Sequence, residues 1–230
     1  MMKKLFLFAF SLLALVSCND NDDPAPKVNA YSGVFVCNQG AFMATNASLS
    51  YYDGKSGVVQ NSVFENANGA GIGSLCQSMS VIDNVGFVAM NGSSRVTVID
   101  LSTFKELYTI TGEGIQRPAL IEKVGEGKIY VTDYDKPLVS VLEYENGRYV
   151  YKGMIDYSGF QELNPGLRES QRPIVYPENF CVVKWESSDK VYKIDTGTDK
   201  VVAAVQVLDC PESSVVDKNN KLWVISQGDY

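Results

Sequence analysis

An all-β fold made of repeated four-stranded units is what the sequence predicts, and three recurring patterns predict it. The first is a run of mostly apolar residues closed by a polar one: VFVCN (34–38), FVAMN (87–91), IYVTD (129–133), FCVVK (180–184) and LWVIS (222–226). From polar residue to polar residue the steps are 53, 42, 51 and 42. The second pattern follows each of the first four runs: YYDGKSG (51–57), VIDLSTF (98–104), VLEYENG (141–147) and KIDTGTD (193–199). Each is a strand end, an acid (Asp53, Asp100, Glu143 or Asp195) and a turn rich in Gly, Ser, Thr or Asn. An acid placed there can cap its own turn through backbone N–H groups, so its recurrence needs no chemistry. The third pattern precedes the first. Gln116-Arg117-Pro118 opens the run 119–124 and Gln171-Arg172-Pro173 opens 174–176, with Cys76-Gln77-Ser78 and Cys210-Pro211-Glu212 in the corresponding places.

Four short strands recurring every 42 to 53 residues, with almost no helical periodicity, predict the blades of a β-propeller. Lettering the strands a to d from the central channel outward, the chain opens on a b strand at Val34 and stops just after a b strand at Ser226. That is four a, five b, four c and four d strands: about four antiparallel blades plus the start of another. A seven-bladed ring would take roughly 330 residues, so the expectation is that 31–230 is an incomplete propeller rather than one closed with four blades.

The first thirty residues read differently. Lys3 and Lys4 precede an apolar run over 5–16, which is the length of a secretory signal and too short for a membrane-spanning helix of about 20 residues. Leu15-Val16-Ser17-Cys18 resembles a bacterial lipobox, which makes 1–17 a signal peptide and Cys18 the lipidated first residue of the mature protein. Residues 18–30 are an acidic, proline-broken linker. Its Asn19-Asp20-Asn21-Asp22-Asp23 resembles the run that marks surface export in Bacteroidetes lipoproteins. Several acyl chains on one sulfur would hold the domain firmly on the outer membrane.

Composition removes whole function classes. Without Lys3 and Lys4, 18 basic residues face 27 acidic ones, a net charge of −9 that repels phosphates and argues against nucleic acid. The chain has no histidine, so His-ligated zinc, Ser-His-Asp triads and Cys-His pairs are all excluded. Beyond Cys18, Cys37, Cys76, Cys181 and Cys210 allow three disulfide pairings that sequence does not choose among, and free buried thiols remain open for Cys37 and Cys181. No metal-ligand spacing or cofactor motif is present. Asp195-Thr196-Gly197-Thr198 copies an aspartic-protease motif, but such an enzyme needs two copies and this one falls on a repeated turn. Ser187-Ser188-Asp189-Lys190 fits S-x-x-K, yet lies between two strand runs instead of opening a helix. Gly69 to Gly73 departs from the dinucleotide fingerprint and reads as a flexible loop.

What remains is positional. The b–c and d–a loops of a propeller open on one face, and long loops on a rigid scaffold commonly bind. The b–c loops carry Asn38 and Phe42, Asn91 and Arg95, Asp133 and Tyr134, and Lys184 and Trp185; the d–a junctions add Arg117 and Arg172. Aromatics beside amides and both signs of charge suit a polar small molecule with a flat face, although Arg117 and Arg172 could equally pair with carboxylates between blades.

The repeats also resemble a known family. KIYVTD, RVTVIDLSTFKELYTI and KVYKIDTGTDKVVAAVQV look like YncE-type propeller repeats, and GVFVCNQGAFMATNASLSYYD resembles the start of Bacteroidetes propeller lipoproteins. That resemblance implies a noncatalytic surface lipoprotein. Such propellers include cobamide binders that cap TonB-dependent vitamin B12 transporters, so a corrinoid is the first ligand implied and a transporter the partner. A propeller lyase or lactonase and a protein- or glycan-binding module are the rival readings.

Overall fold

The computed structural model describes residues 32–160, 174–176, 180–184 and 189–228. Its strands are β1 (Gly33–Asn38), β2 (Ser48–Asp53), β3 (Val59–Gln60), β4 (Cys76–Ile82), β5 (Val85–Met90), β6 (Arg95–Asp100), β7 (Glu106–Ile110), β8 (Pro118–Gly125) and β9 (Lys128–Asp133). They continue as β10 (Leu138–Glu145), β11 (Arg148–Asp156), β12 (Ile174–Tyr176), β13 (Phe180–Lys184), β14 (Lys190–Asp195), β15 (Lys200–Gln206), β16 (Pro211–Val216) and β17 (Leu222–Ser226). Each strand pairs antiparallel with its chain neighbour inside a sheet: β1-β2-β3, then β4 to β7, β8 to β11, β12 to β15, and β16-β17. Four a, five b, four c and four d strands are thus in place, and the fold is a β-propeller.

The blades stack face to face, and three apolar seams lie among the described residues. Leu49, Tyr51, Phe64, Ile72, Val88 and Met90 fill the one between the first two sheets. Phe87, Val98, Ile121, Ile129, Leu142 and Tyr149 fill the next, and Tyr130, Val141, Tyr157 and Tyr192 the third. Central strands are covered on both sides, which is why FVAM and IYVT lack polar alternation: β5 and β9 are buried at nearly every position. The a strands lie innermost. Ser78 and Ser80 of β4 donate to the Ala119 and Ile121 carbonyls of β8 at 2.5 and 2.6 Å, so one a strand is pinned to the next. On the third seam the Lys128 ammonium donates to Asp199 (2.9 Å) and the Thr196 carbonyl (2.8 Å), and the Tyr130 hydroxyl donates to Asp199 at 2.5 Å.

Local irregularities repeat with the blades. The c–d pairing shifts register between Val98 and Ile99, between Val141 and Leu142, and between Lys193 and Ile194, just before Asp100, Glu143 and Asp195 respectively. A bulge there adds twist, which a wedge-shaped blade needs. Asp100 accepts from the Ser102 and Thr103 amides at 3.0 and 2.7 Å, Asp195 from Gly197 and Thr198 at 2.8 and 3.0 Å, and Asp53 from Lys55 at 2.9 Å. The turn-capping expectation holds at these three. Glu143 departs from it: it lies inside β10 opposite Val150, because that hairpin turns later at Asn146-Gly147, and it approaches Lys128 at 3.7 Å. A helix that periodicity did not suggest, α1 (Val63–Asn68), interrupts the first d–a connection and buries Val63 and Phe64. Six residues are too few to show a 3.6-residue repeat.

Candidate functional site

Hydrogen bonds join the b–c loops to the d–a junctions, so both families of loop occupy one end of the stack. The Ala47 amide donates to the Gly73 carbonyl (3.1 Å) and the Cys76 amide to the Gln39 carbonyl (3.2 Å). One blade on, the Asn91 amide donates to the Leu75 carbonyl (2.8 Å) and the Ser94 hydroxyl to the Gln116 carbonyl (2.6 Å). The Tyr134 amide donates to the Arg117 carbonyl at 2.8 Å. The result is a rigid deck over the seams, the surface on which loop-borne binding was expected.

The predicted residues meet unequal fates on it. Arg117, Asn91, Asp133, Tyr134 and Asp135 form one cluster spanning the second and third blades. The Arg117 guanidinium donates from Nε and Nη2 to Asn91 Oδ1 at 3.0 and 2.9 Å and from Nη1 to Asp135 Oδ2 at 2.7 Å. It lies 5.2 Å from the centre of the Tyr134 ring, within cation–π range. Asn91 is buried beneath it and donates to the Pro118 carbonyl. About a third of the Arg117 side chain (34%) still meets solvent. The other Asp135 oxygen, Oδ1, is buried without a hydrogen-bond partner.

Asp133 holds this cluster in place. It is buried, accepting from the Asp135 and Lys136 amides on Oδ1 (2.8 and 2.9 Å) and from the Arg117 amide on Oδ2 (3.0 Å). Burial pushes its carboxyl above the usual range against the pull of those three donors. Arg95 points back into the deck: Nη2 donates to the Ile72 carbonyl at 2.6 Å, while Nε is buried without a partner. Asn38 is likewise engaged, donating to the Ser48 and Ser50 hydroxyls at 3.2 and 3.0 Å. Phe42 stands free at 71% exposure, next to Met43 at 86%. Lys184 ends β13 with its backbone opposite Val191, and its side chain is outside the described residues. Cys18, Arg172 and Trp185 also lie outside them.

One concavity was not foreseen. At the opposite end, a groove of about 580 Å³ opens between the second and third blades, lined by Asp83, Asn84, Tyr108, Glu126, Tyr144 and Tyr149 among others. The Tyr149 hydroxyl donates to Asp83 Oδ2 at 2.8 Å, and Lys123 pairs with Asp83 Oδ1 at 2.6 Å. Sequence signals only the hairpins Asp83-Asn84 and Asn146-Gly147; their meeting across two blades is a product of the stacking. Among the described residues no group of three or more Cys, Asp or Glu could hold a metal ion, and no helix is long and apolar enough to cross a membrane.

Residues 32–229 match the family described as "Domain of unknown function (DUF5074)". The sequence matches none of the curated proteins. Among solved structures, the chain is similar to a streptogramin B lyase (13% identity, TM-score 0.63, covering 85% of this chain and 59% of that one). It is also similar to the WD40 β-propeller domain of Doa1 (12%, 0.54, 77% and 53%). A third likeness is to an extracellular domain from Bacteroides thetaiotaomicron (14%, 0.55, 86% and 28%). The chain spans less than two thirds of each of these structures. Likeness at such identities shows the propeller fold and nothing of the chemistry.

Proposed function

The chain belongs to the DUF5074 family, and from that premise we propose that it is a noncatalytic propeller that captures a small polar molecule on the deck of b–c and d–a loops. The observation that carries this reading is the Arg117–Tyr134 platform. Asn91 and Asp135 hold the guanidinium over the ring, and a third of the side chain remains open to solvent. A planar donor face fixed in advance loses little entropy when it binds, and arginine and tyrosine often dominate binding energy. The acidic chain repels anions at long range, which favours a neutral or zwitterionic ligand. A corrinoid is the first candidate, and a TonB-dependent transporter the partner to receive it. Lipidation at Cys18 would hold the domain at the outer membrane, facing outward, a placement compatible with the extracellular neighbour. Noncatalytic capture is favoured over a lyase or lactonase because the chain has no histidine to serve as a base near neutral pH.

A glycan-binding reading is favoured by the other groove, where Tyr144, Tyr149 and Tyr108 stand beside Asp83, Asn84 and Glu126. Calorimetry on the full-length protein in lipid-free form separates the two, titrating cobinamide and cobalamin first and then a panel of glycans. Capture on the deck predicts that Arg117→Ala and Tyr134→Ala each weaken corrinoid binding at least about tenfold while Tyr144→Ala does not. Absence of corrinoid binding removes that ligand. Binding that is lost only in Tyr144→Ala moves the site to the opposite end.

A further inference from the structure

Cys37 and Cys76 meet across the first seam. Cys37 sits in β1 opposite Leu49, half-buried, and Cys76 is the buried first residue of β4. Their backbones are held together next to the thiols, since the Cys76 amide donates to the carbonyl of Gln39, two residues beyond Cys37. Both side chains pack into the cluster of Leu49, Ile72, Val88 and Met90, where the two thiols interact. The neighbouring Cys76 thiol lowers Cys37 below its ordinary range, while the Cys37 sulfur and burial together push Cys76 above its own. The two residues are 39 positions apart in the chain and on different blades.

We propose that Cys37 and Cys76 form a disulfide that ties the first blade to the second when the domain meets a disulfide oxidant, the class of donor that acts on exported proteins. The in-cell part rests on the export reading given above; the pairing itself does not. Cys37 is the more exposed and more acidic sulfur, so its thiolate attacks one sulfur of the donor disulfide and releases the other as a thiolate. Cys76 then gives up its proton and attacks the Cys37 sulfur of the mixed disulfide, expelling the donor's second thiolate. Two protein thiols are oxidised to one disulfide, one donor disulfide is reduced to two thiols, and the two protons pass to those thiolates or to solvent. Cys210 precedes β16, three blades away, and Cys181 lies in β13, so the first seam has a pair of its own.

The test is non-reducing peptide mapping of the full chain after equilibration in glutathione disulfide, with free thiols alkylated under denaturing conditions. The expected product is a linked pair of peptides carrying Cys37 and Cys76. Closing a loop of this size should raise the melting temperature by about 10 °C over the dithiothreitol-treated protein. That increment should be absent from Cys37→Ala/Cys76→Ala. Finding both cysteines alkylated after oxidation, or Cys37 joined to any other cysteine, overturns the proposal. Should the double variant fail to fold, the mapping of the unaltered chain decides alone. Because the oxidant is supplied in the buffer, the result is independent of where a cell places the protein.

Discussion

Asp133→Asn distinguishes a residue that holds the deck together from one that waits for a ligand. The amide keeps Oδ1, and with it the bonds from the Asp135 and Lys136 amides. At the other position an NH₂ replaces Oδ2 and confronts the Arg117 N–H, donor against donor, at a site only 2% exposed. Losing a charge-assisted bond and stranding a buried donor costs roughly 2 to 4 kcal/mol. Removing the buried charge gives part of that back, because burial already holds this carboxyl above its usual range. The net expectation is about 2 kcal/mol, or a fall of about 4–8 °C in melting temperature for a chain of this size. Thermal melts followed by circular dichroism read it directly, with Asp195→Asn as the control. Asn at 195 keeps the single oxygen that accepts from Gly197 and Thr198, so its cost should stay within about 0.5 kcal/mol. Equal costs for the two variants, or a neutral Asp133→Asn, would refute the reasoning.

Two further outcomes follow from hydrogen-bond bookkeeping. Bonds from the Ser102 and Thr103 side chains and backbone hold the Asp100 carboxyl at about 2. A depressed carboxyl contributes stability above the unfolded value near ~3.9 and loses it as pH falls from there toward 2, so Asp100→Asn should flatten that window. Asp100 is partly exposed at the end of β6, so screening keeps the effect under about 1 kcal/mol, and NMR titration is the sharper assay; an unmoved pKa in Ser102→Ala would contradict it. Thr97 is fully buried and its hydroxyl has no partner, so Thr97→Val, of nearly the same shape, should leave the melting temperature unchanged or raise it by a few degrees. A clear drop would mean that the hydroxyl is satisfied after all.

The strand plan was legible because each blade repeats the same physics. A b strand buried on both faces must be apolar throughout, and a c–d hairpin needs a cap for its turn; Phe87 to Met90 and Asp100 show the two rules in one blade. Glu143 broke the second rule because its hairpin turns at Asn146-Gly147, a distinction of two residues that the repeat spacing does not carry. The site was legible only as a place. That Arg117, Asn91 and Tyr134 share one end follows from counting strands. That Arg95 and Asn38 turn inward depends on the Ile72 carbonyl and on Ser48 and Ser50, partners set by packing rather than spacing. The Cys37–Cys76 contact was equally hidden, since any of three pairings fitted the sequence.

The stacking itself has a consequence for how the protein loosens. Among the described residues each apolar cluster joins two neighbouring sheets, so resistance to opening is passed along the chain like links in a line rather than shared by one core. The middle link, where Phe87, Ile121, Ile129 and Leu142 interdigitate, is closed on both sides. The outer strand β7, by contrast, is largely exposed. Amide exchange should therefore be slowest in β5 and β9 and faster toward β7, a gradient of protection instead of a single value. Arg117 and Asn91 sit directly above the slowest part, so the surface proposed for ligand capture is the one least able to breathe.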